Sequence, residues 1–178
     1  MLYYIHGYLS APNSVKGTLF RKTLNAIPIK YGDCKPEDIV ISDCLKRISD
    51  FIKDDKNVVL IGSSLGGFLA ASTALDNSSV KKLILLNPAV IPSLSDIDKN
   101  KDVPRSILKD MIDKRLFEQQ LDAEITILVG TEDIVIPREW ILKFASFQEA
   151  VVYFLHDDHS FSKNLKRLPH IISKILNS

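Results

Sequence analysis

The sequence has few cysteines and no long apolar run. Cys34 and Cys44 are its only two cysteines, too few for a disulfide framework or for the paired ligands of a zinc site. No stretch reaches the roughly 18 apolar residues that a membrane span needs, and residues 1–5 lack the charged region of a signal peptide. We therefore expect a cytoplasmic protein with no metal site and no membrane partner.

A strong net charge is also absent. The formal net charge is +1, which creates no long-range field to attract polyanions and argues against nucleic acid as the main partner. The 178 residues, 46% of them hydrophobic, suffice for one domain over residues 1–178 with a full core. The sequence leaves the oligomeric state open.

Short apolar runs alternate with amphipathic segments along the chain. This alternation predicts an α/β fold, with helices on both faces of a mostly or wholly parallel sheet of about six strands. The predicted strands lie near residues 2–5, 28–31, 57–61, 81–86, 124–129 and 150–155. The predicted helices lie near residues 14–26, 37–54, 65–76, 105–119, 138–146 and 164–176.

Residues 92–118 differ in composition from the rest. They are rich in Asp and Lys and are interrupted by Pro104, which makes them the only candidate for a short lid-like insertion. A solvated loop with a surface helix is the alternative. Five apolar residues in or beside the segment are candidates for an acyl pocket, although their spacing equally suits packing against the sheet: Ile91, Leu94, Ile107, Leu108 and Met111.

The pattern G-x-S-x-G occurs at residues 62–66, directly after an apolar run and directly before a helix-forming run. This order of strand, sharp turn and helix is typical of a nucleophile elbow. The turn is strained, so small residues such as Gly62 and Gly66 must flank the serine, and the following helix directs its N–H groups at the developing oxyanion. Ser64 is therefore the candidate nucleophile.

A serine nucleophile needs an imidazole to take its proton and a carboxylate to orient that imidazole. In open α/β sheets such groups lie in loops at the carboxyl ends of strands. Asp133 follows the predicted strand at 124–129, and His159 follows the strand at 150–155. The chain order of serine, acid and histidine is that of α/β-hydrolases.

Each partner has an alternative. Glu132 is a second candidate for the acid, and Asp133 is also suited to capping the helix that begins near Pro137. His156 competes with His159, but it immediately follows the strand and is close to its end. A further histidine, His170, lies within the pattern of the last helix and has no visible catalytic partner.

The loop after the first strand is the candidate oxyanion loop. Gly7 allows a sharp backbone turn, after which the N–H of Tyr8, together with the N–H of Leu65, is expected to face the reacting carbonyl. We expect His6 to brace this loop through its ring, and the alternative is a histidine at a strand end with no such role.

The chain resembles the small YqiA-type esterases of the α/β-hydrolase superfamily over nearly its whole length. The resemblance rests on motifs spread along the chain: Tyr4-Ile5-His6-Gly7, Ser10-Ala11-Pro12, the elbow, Gly130-Thr131-Glu132-Asp133, Asp158-His159-Ser160-Phe161 and Leu168-Pro169-His170-Ile171-Ile172. It implies a reduced, three-layer α/β-hydrolase fold without a large cap, and a reaction without a cofactor. Where that family tends to have glycines before its catalytic histidine, this chain has His156 and Asp157.

The leading hypothesis is a serine hydrolase that cleaves short-chain carboxylic esters or thioesters. The resemblance implies Ser64 as the nucleophile that forms an acyl-enzyme, with Asp133 and His159 completing the triad. The partner would be a small-molecule acyl ester. Two alternatives remain: a non-catalytic interaction module on the same fold, and an acyl transferase or perhydrolase that uses the same triad.

Overall fold

The computed structural model describes residues 1–99 and 103–178, and in this part of the chain six strands form one sheet. Every neighbouring pair of strands is parallel. The strands are β1 (Leu2–Ile5), β2 (Ile27–Ile29), β3 (Val58–Ser63), β4 (Val80–Leu86), β5 (Glu124–Gly130) and β6 (Val151–Leu155). The predicted parallel sheet is thereby confirmed.

The strand order β2-β1-β3-β4-β5-β6 decides where a site can form. The chain first adds β2 outside β1, then crosses back to place β3 on the other side of β1, and continues in one direction to β6. Ligands of open α/β sheets bind beyond the carboxyl ends of the strands, where the order reverses. The loops after β1, β3, β5 and β6 all lie at this edge of the sheet.

Helices cover both faces of the sheet. They are α1 (Val15–Leu24), α2 (Ile41–Ile52), α3 (Leu65–Asp76), α4 (Arg105–Asp110), α5 (Arg138–Phe147) and α6 (Leu168–Leu176). One buried cluster unites Phe20 of α1 with Ile172 of α6, and the other unites α2, α3 and α5 through residues such as Phe68 and Trp140. These two cores confirm the three-layer fold.

Within residues 1–99 and 103–178, no helix combines the length and apolarity needed to cross a membrane.

Three predicted helices are shorter than expected. The helix predicted at 37–54 begins only at residue 41, because Pro36 starts a separate 3₁₀ turn that ends at residue 38. The helix predicted at 105–119 divides into α4 and a 3₁₀ turn at Lys114–Phe117, since Asp113 caps that turn by accepting a hydrogen bond from the N–H of Arg115. The last helix begins at residue 168 and not 164, with Pro169 in its first turn, where the missing N–H costs nothing.

The segment at 92–118 consists of short elements, and its residues 100–102 lie outside the described part. Its short elements are a 3₁₀ helix at Leu94–Lys99, α4 and the 3₁₀ turn at Lys114–Phe117. Of the apolar residues considered for an acyl pocket, Ile107 is buried in the core, whereas Leu94 is 61% exposed. Three others line a cavity beside Ser64: Ile91, Leu108 and Met111.

Candidate active site

Ser64 stands between β3 and α3 in a strained conformation. Its φ of 55° and ψ of −118° lie outside the regions that L-residues favour. Backbone hydrogen bonds hold it there: its N–H donates to Leu86 O at 2.9 Å, and its carbonyl accepts from Gly67 N at 2.9 Å and Ala89 N at 3.1 Å. The sharp turn between strand and helix that the sequence predicts is therefore present, and hydrogen bonds tie it to β4, to α3 and to the loop after β4.

The glycines around Ser64 are required by space. A Cβ on Gly62 would lie 2.3 Å from the carbonyl oxygen of Gly66, and a Cβ on Gly66 would lie 2.1 Å from the carbonyl oxygen of Ile5. Both neighbours are backbone atoms, so neither can move aside cheaply. Because neither glycine has a Cβ, α3 can start immediately beside β1 and β3.

The candidate oxyanion loop follows β1. Gly7 does not provide a left-handed turn, since no described glycine has positive φ; Leu9, with φ of 54°, takes that conformation. Gly7 is instead needed for close approach, because its Cβ would lie 3.2 Å from Ser63 O. Leu65 is the first residue of α3, so its N–H has no acceptor within the helix. Tyr8 lines the same pockets as Ser64.

The ring of His6 contacts the loop and a neighbouring aromatic ring. Its Nδ1 lies 2.9 Å from Gly7 O, and since a carbonyl only accepts, Nδ1 is the donor. The ring stacks on Tyr31 with centroids 4.3 Å apart, and the Tyr31 hydroxyl donates to the same Gly7 oxygen at 3.2 Å. Burial lowers the pKa of His6, and the bond to Gly7 offsets this in part. A ring held by these two contacts is suited to the bracing role expected from the sequence.

His159 and Asp133 lie in hydrogen-bond contact. Nδ1 of His159 is 2.8 Å from Oδ2 of Asp133, whose side chain is 3% exposed, against 23% for His159. The other carboxylate oxygen of Asp133 accepts from the N–H groups of Val135 at 2.8 Å and Ile136 at 3.1 Å. Both N–H groups precede α5, which begins at Arg138, so these hydrogen bonds of Asp133 do not cap that helix.

The alternative acid and base pair with each other, away from this contact. Nε2 of His156 lies 3.3 Å from Glu132, and the His156 side chain is 77% exposed. Glu132 also accepts a hydrogen bond from the ammonium of Lys163. His170 is exposed on α6.

The loop that carries His159 is anchored by Asp157, a residue whose role the sequence left open. Its carboxylate is fully buried. It accepts from the backbone N–H groups of Asp158 at 2.9 Å, Lys163 at 3.0 Å and Asn164 at 2.7 Å, and from the Asn164 amide at 2.8 Å. Burial alone raises the pKa of Asp157, but these hydrogen bonds outweigh it and hold the pKa below the ordinary value.

Asn87 ties the same loop to the sheet and was missed by the sequence reasoning. It is fully buried at the end of β4 with a φ of 44°. Its amide donates to His159 O at 3.1 Å, and its oxygen accepts from Gly130 N at 2.8 Å. The only local signal is an asparagine before Pro88 where a strand ends, a common turn feature.

Two cavities meet at Ser64, His159 and Tyr8. One, of about 210 Å³, has an apolar wall that includes Leu108, Met111 and Trp140. The other, of about 420 Å³, has several serines and Lys16 in its lining beside apolar residues. The described residues contain no group of three or more His, Cys, Asp or Glu side chains arranged to hold a metal ion. The arrangement offers a serine hydroxyl, an imidazole oriented by a carboxylate, and space on two sides.

The family model of UPF0227, an uncharacterised protein family, matches residues 1–175. This match agrees with the resemblance drawn from the motifs. No curated protein matches the chain.

Solved structures similar to this fold include several α/β hydrolases. A candidate hydrolase of the α/β superfamily from Xanthomonas campestris pv. campestris is 20% identical, with a TM-score of 0.71 over 99% of this chain and 97% of that chain. Est1E from Butyrivibrio proteoclasticus is 15% identical, with a TM-score of 0.79 over 98% of this chain and 86% of that chain. A lipase-esterase related protein from Clostridium acetobutylicum is 17% identical, with a TM-score of 0.70 over 97% and 93%. At these identities the likeness concerns the fold.

Proposed function

We propose that this chain, which belongs to the UPF0227 family and has the α/β-hydrolase fold, is a serine hydrolase of short-chain carboxylic esters or thioesters. The observation that carries the proposal is the contact of His159 with the buried Asp133, beside cavities that His159 shares with Ser64. An interaction module would have no need of a strained serine that shares its cavities with an imidazole held by a buried carboxylate.

In the proposed reaction, Oγ of Ser64 attacks the acyl carbonyl while Nε2 of His159 takes its proton. Asp133 holds the proton on Nδ1, so Nε2 remains the acceptor, and it stabilises the imidazolium that forms. The N–H groups of Tyr8 and Leu65 receive the oxyanion. His159 then gives the proton to the leaving oxygen or sulfur, and a water molecule activated by the same imidazole releases the acid from Ser64.

A fluorophosphonate probe tests the nucleophile. We expect the folded protein to form one adduct, mapped to the peptide containing Ser64, and we expect Ser64→Ala to abolish it and to lower kcat by about three decades or more. Ser63→Ala is the matched control, since it removes the neighbouring hydroxyl, and it should still be labelled. An adduct on Ser63, or none on folded protein, would contradict the proposal and favour the interaction module.

Product analysis distinguishes hydrolysis from acyl transfer. Incubation of an ester with the enzyme and an added alcohol or hydrogen peroxide should give the free acid as the main product, while a dominant new ester or peracid would identify a transferase or perhydrolase.

We also propose a cytoplasmic location, which the free thiol of the exposed Cys34 supports.

A further inference from the structure

The two cavities beside Ser64 differ in chemistry. The smaller one has a wall of aliphatic side chains together with Trp140. The larger one is more polar, since its lining residues include Ser10, Ser160, Ser162 and Lys16. Among the described residues that line the larger cavity, Lys16 carries the only permanent charge. An ester bound with its carbonyl at Ser64 would extend one part into each cavity.

Lys16 has unused hydrogen-bonding capacity. Its Nζ donates to Ser160 O at 3.1 Å, the only acceptor it has in the described part of the chain, and lies 5.8 Å from the centre of the Phe161 ring. An ammonium has three donors, so two are left for water or a ligand. Burial lowers the pKa of Lys16, and the carboxylates of Asp158, Asp157 and Asp133 offset this effect.

None of those three carboxylates is a direct partner of Lys16. Asp133 binds His159, Asp157 binds backbone N–H groups within its own loop, and Asp158 accepts from Ser160 N and Ser162 N. Each is already occupied by donors of the loop. A half-buried ammonium that has lost part of its hydration, and has no carboxylate in contact, is suited to receive an anion from a ligand.

We propose that the larger cavity binds the leaving group of the substrate and that Lys16 selects a leaving group bearing a carboxylate. The inference rests on the proposed hydrolase function. The apolar cavity is assigned to the acyl chain, because an acyl-enzyme keeps its apolar chain out of water while the leaving group departs. A single lysine matches the single negative charge of a carboxylate better than the roughly double charge of a phosphate monoester. The substrate class is therefore a short-chain acyl ester of a hydroxy acid, or the matching thioester.

Two acetate esters of equal size test the assignment. 3-Acetoxybenzoate has an anionic leaving group, and 3-acetoxybenzamide has a neutral one. We expect Lys16→Gln to lower kcat/KM for the anionic ester about ten-fold or more, the size of a lost charge-assisted hydrogen bond, and to leave the neutral ester nearly unchanged. The ratio between variants cancels the intrinsic reactivity of each ester, and the neutral ester reports whether the variant is folded.

Two further variants serve as controls. Lys16→Arg keeps a cation in the cavity and should retain most of the preference for the anionic ester. Lys163→Gln removes the same charge from the loop that carries His159, but Lys163 lines neither cavity, so the preference should persist.

Each other outcome has a defined meaning. If the wild-type enzyme cleaves neither ester, the proposed function itself fails. If Lys16→Gln slows both esters equally, or neither, the leaving-group site is wrong while the hydrolase function stands. A third substrate, the mono-p-nitrophenyl ester of succinate, carries its carboxylate on the acyl side; if only this ester depended on Lys16, the two cavities would be assigned the wrong way round.

Discussion

The substitution Asp157→Asn tests whether the Asp157 carboxylate anchors the loop that carries His159. The buried carboxylate accepts hydrogen bonds on both oxygens, and the pair on Oδ2 comes from Asn164 through its backbone N–H and its side-chain amide. An asparagine at this position keeps one oxygen and replaces the other with an NH₂ group, which would face two donors. The change therefore removes two hydrogen bonds to a charged acceptor and leaves buried donors unsatisfied.

The expected loss in the free energy of unfolding follows from those two hydrogen bonds. Hydrogen bonds to charged groups contribute about 1.5–3 kcal/mol each, so we expect the free energy of unfolding to fall by about 3 kcal/mol or more. Urea denaturation at pH 7 measures this change. Glu132→Gln is the matched control, because it makes the same replacement on an exposed carboxylate that contacts Lys163 and His156, and its urea midpoint should stay close to that of the wild type.

The pH dependence gives a second, independent readout. Hydrogen bonds hold the native pKa of Asp157 below the 3.8 of a free aspartate, against the opposing effect of burial. Ionised Asp157 therefore stabilises the fold above the unfolded pKa, and this contribution is lost as the pH falls through the lower native pKa. The stability gap between wild type and Asp157→Asn should be constant near neutrality and should narrow below about pH 4.

The rate of ester cleavage gives a third readout, because Asp157 lies two residues before His159. Asp157→Asn protein that remains folded in buffer should have a lower kcat, because the imidazole is held less firmly. A loss of stability under about 0.5 kcal/mol, within the range of ordinary surface substitutions, together with unchanged kcat, would refute the anchoring argument.

Two further predictions concern the proposed reaction. His159→Gln should remove nearly all activity, because a glutamine cannot take the serine proton, while His156→Gln should keep it, and the reverse result would exchange the two roles. Across p-nitrophenyl esters, kcat/KM should be highest for acyl groups from acetyl to about hexanoyl. Each buried methylene contributes about 0.8 kcal/mol of binding free energy, but only while the cavity of about 210 Å³ has room for it. A steady rise in kcat/KM toward palmitate would contradict this prediction.

Much of the architecture could be predicted from local pattern alone. Apolar runs of strand length separated by amphipathic segments imply a parallel sheet, because only strands buried on both faces read as continuous apolar stretches. The errors fell at helix ends, where single side chains decide. Asp113 and Pro169 break or restart helices through one hydrogen bond or one missing N–H, effects that periodicity does not register.

The sequence by itself determined the elbow and the three loops that hold the site candidates, because a G-x-S-x-G turn is local chemistry and parallel strands bring their carboxyl ends to one edge. The sequence favoured His159 over His156 as the partner of Asp133, but only the tertiary structure gives the contact: the two histidines are three residues apart, and His159 lies against Asp133 while His156 is exposed beside Glu132. Asn87 and Lys16 reach the site from β4 and α1, far away in the chain. No local pattern marks such residues, because their contacts exist only after the sheet has assembled and the helices have packed on its faces.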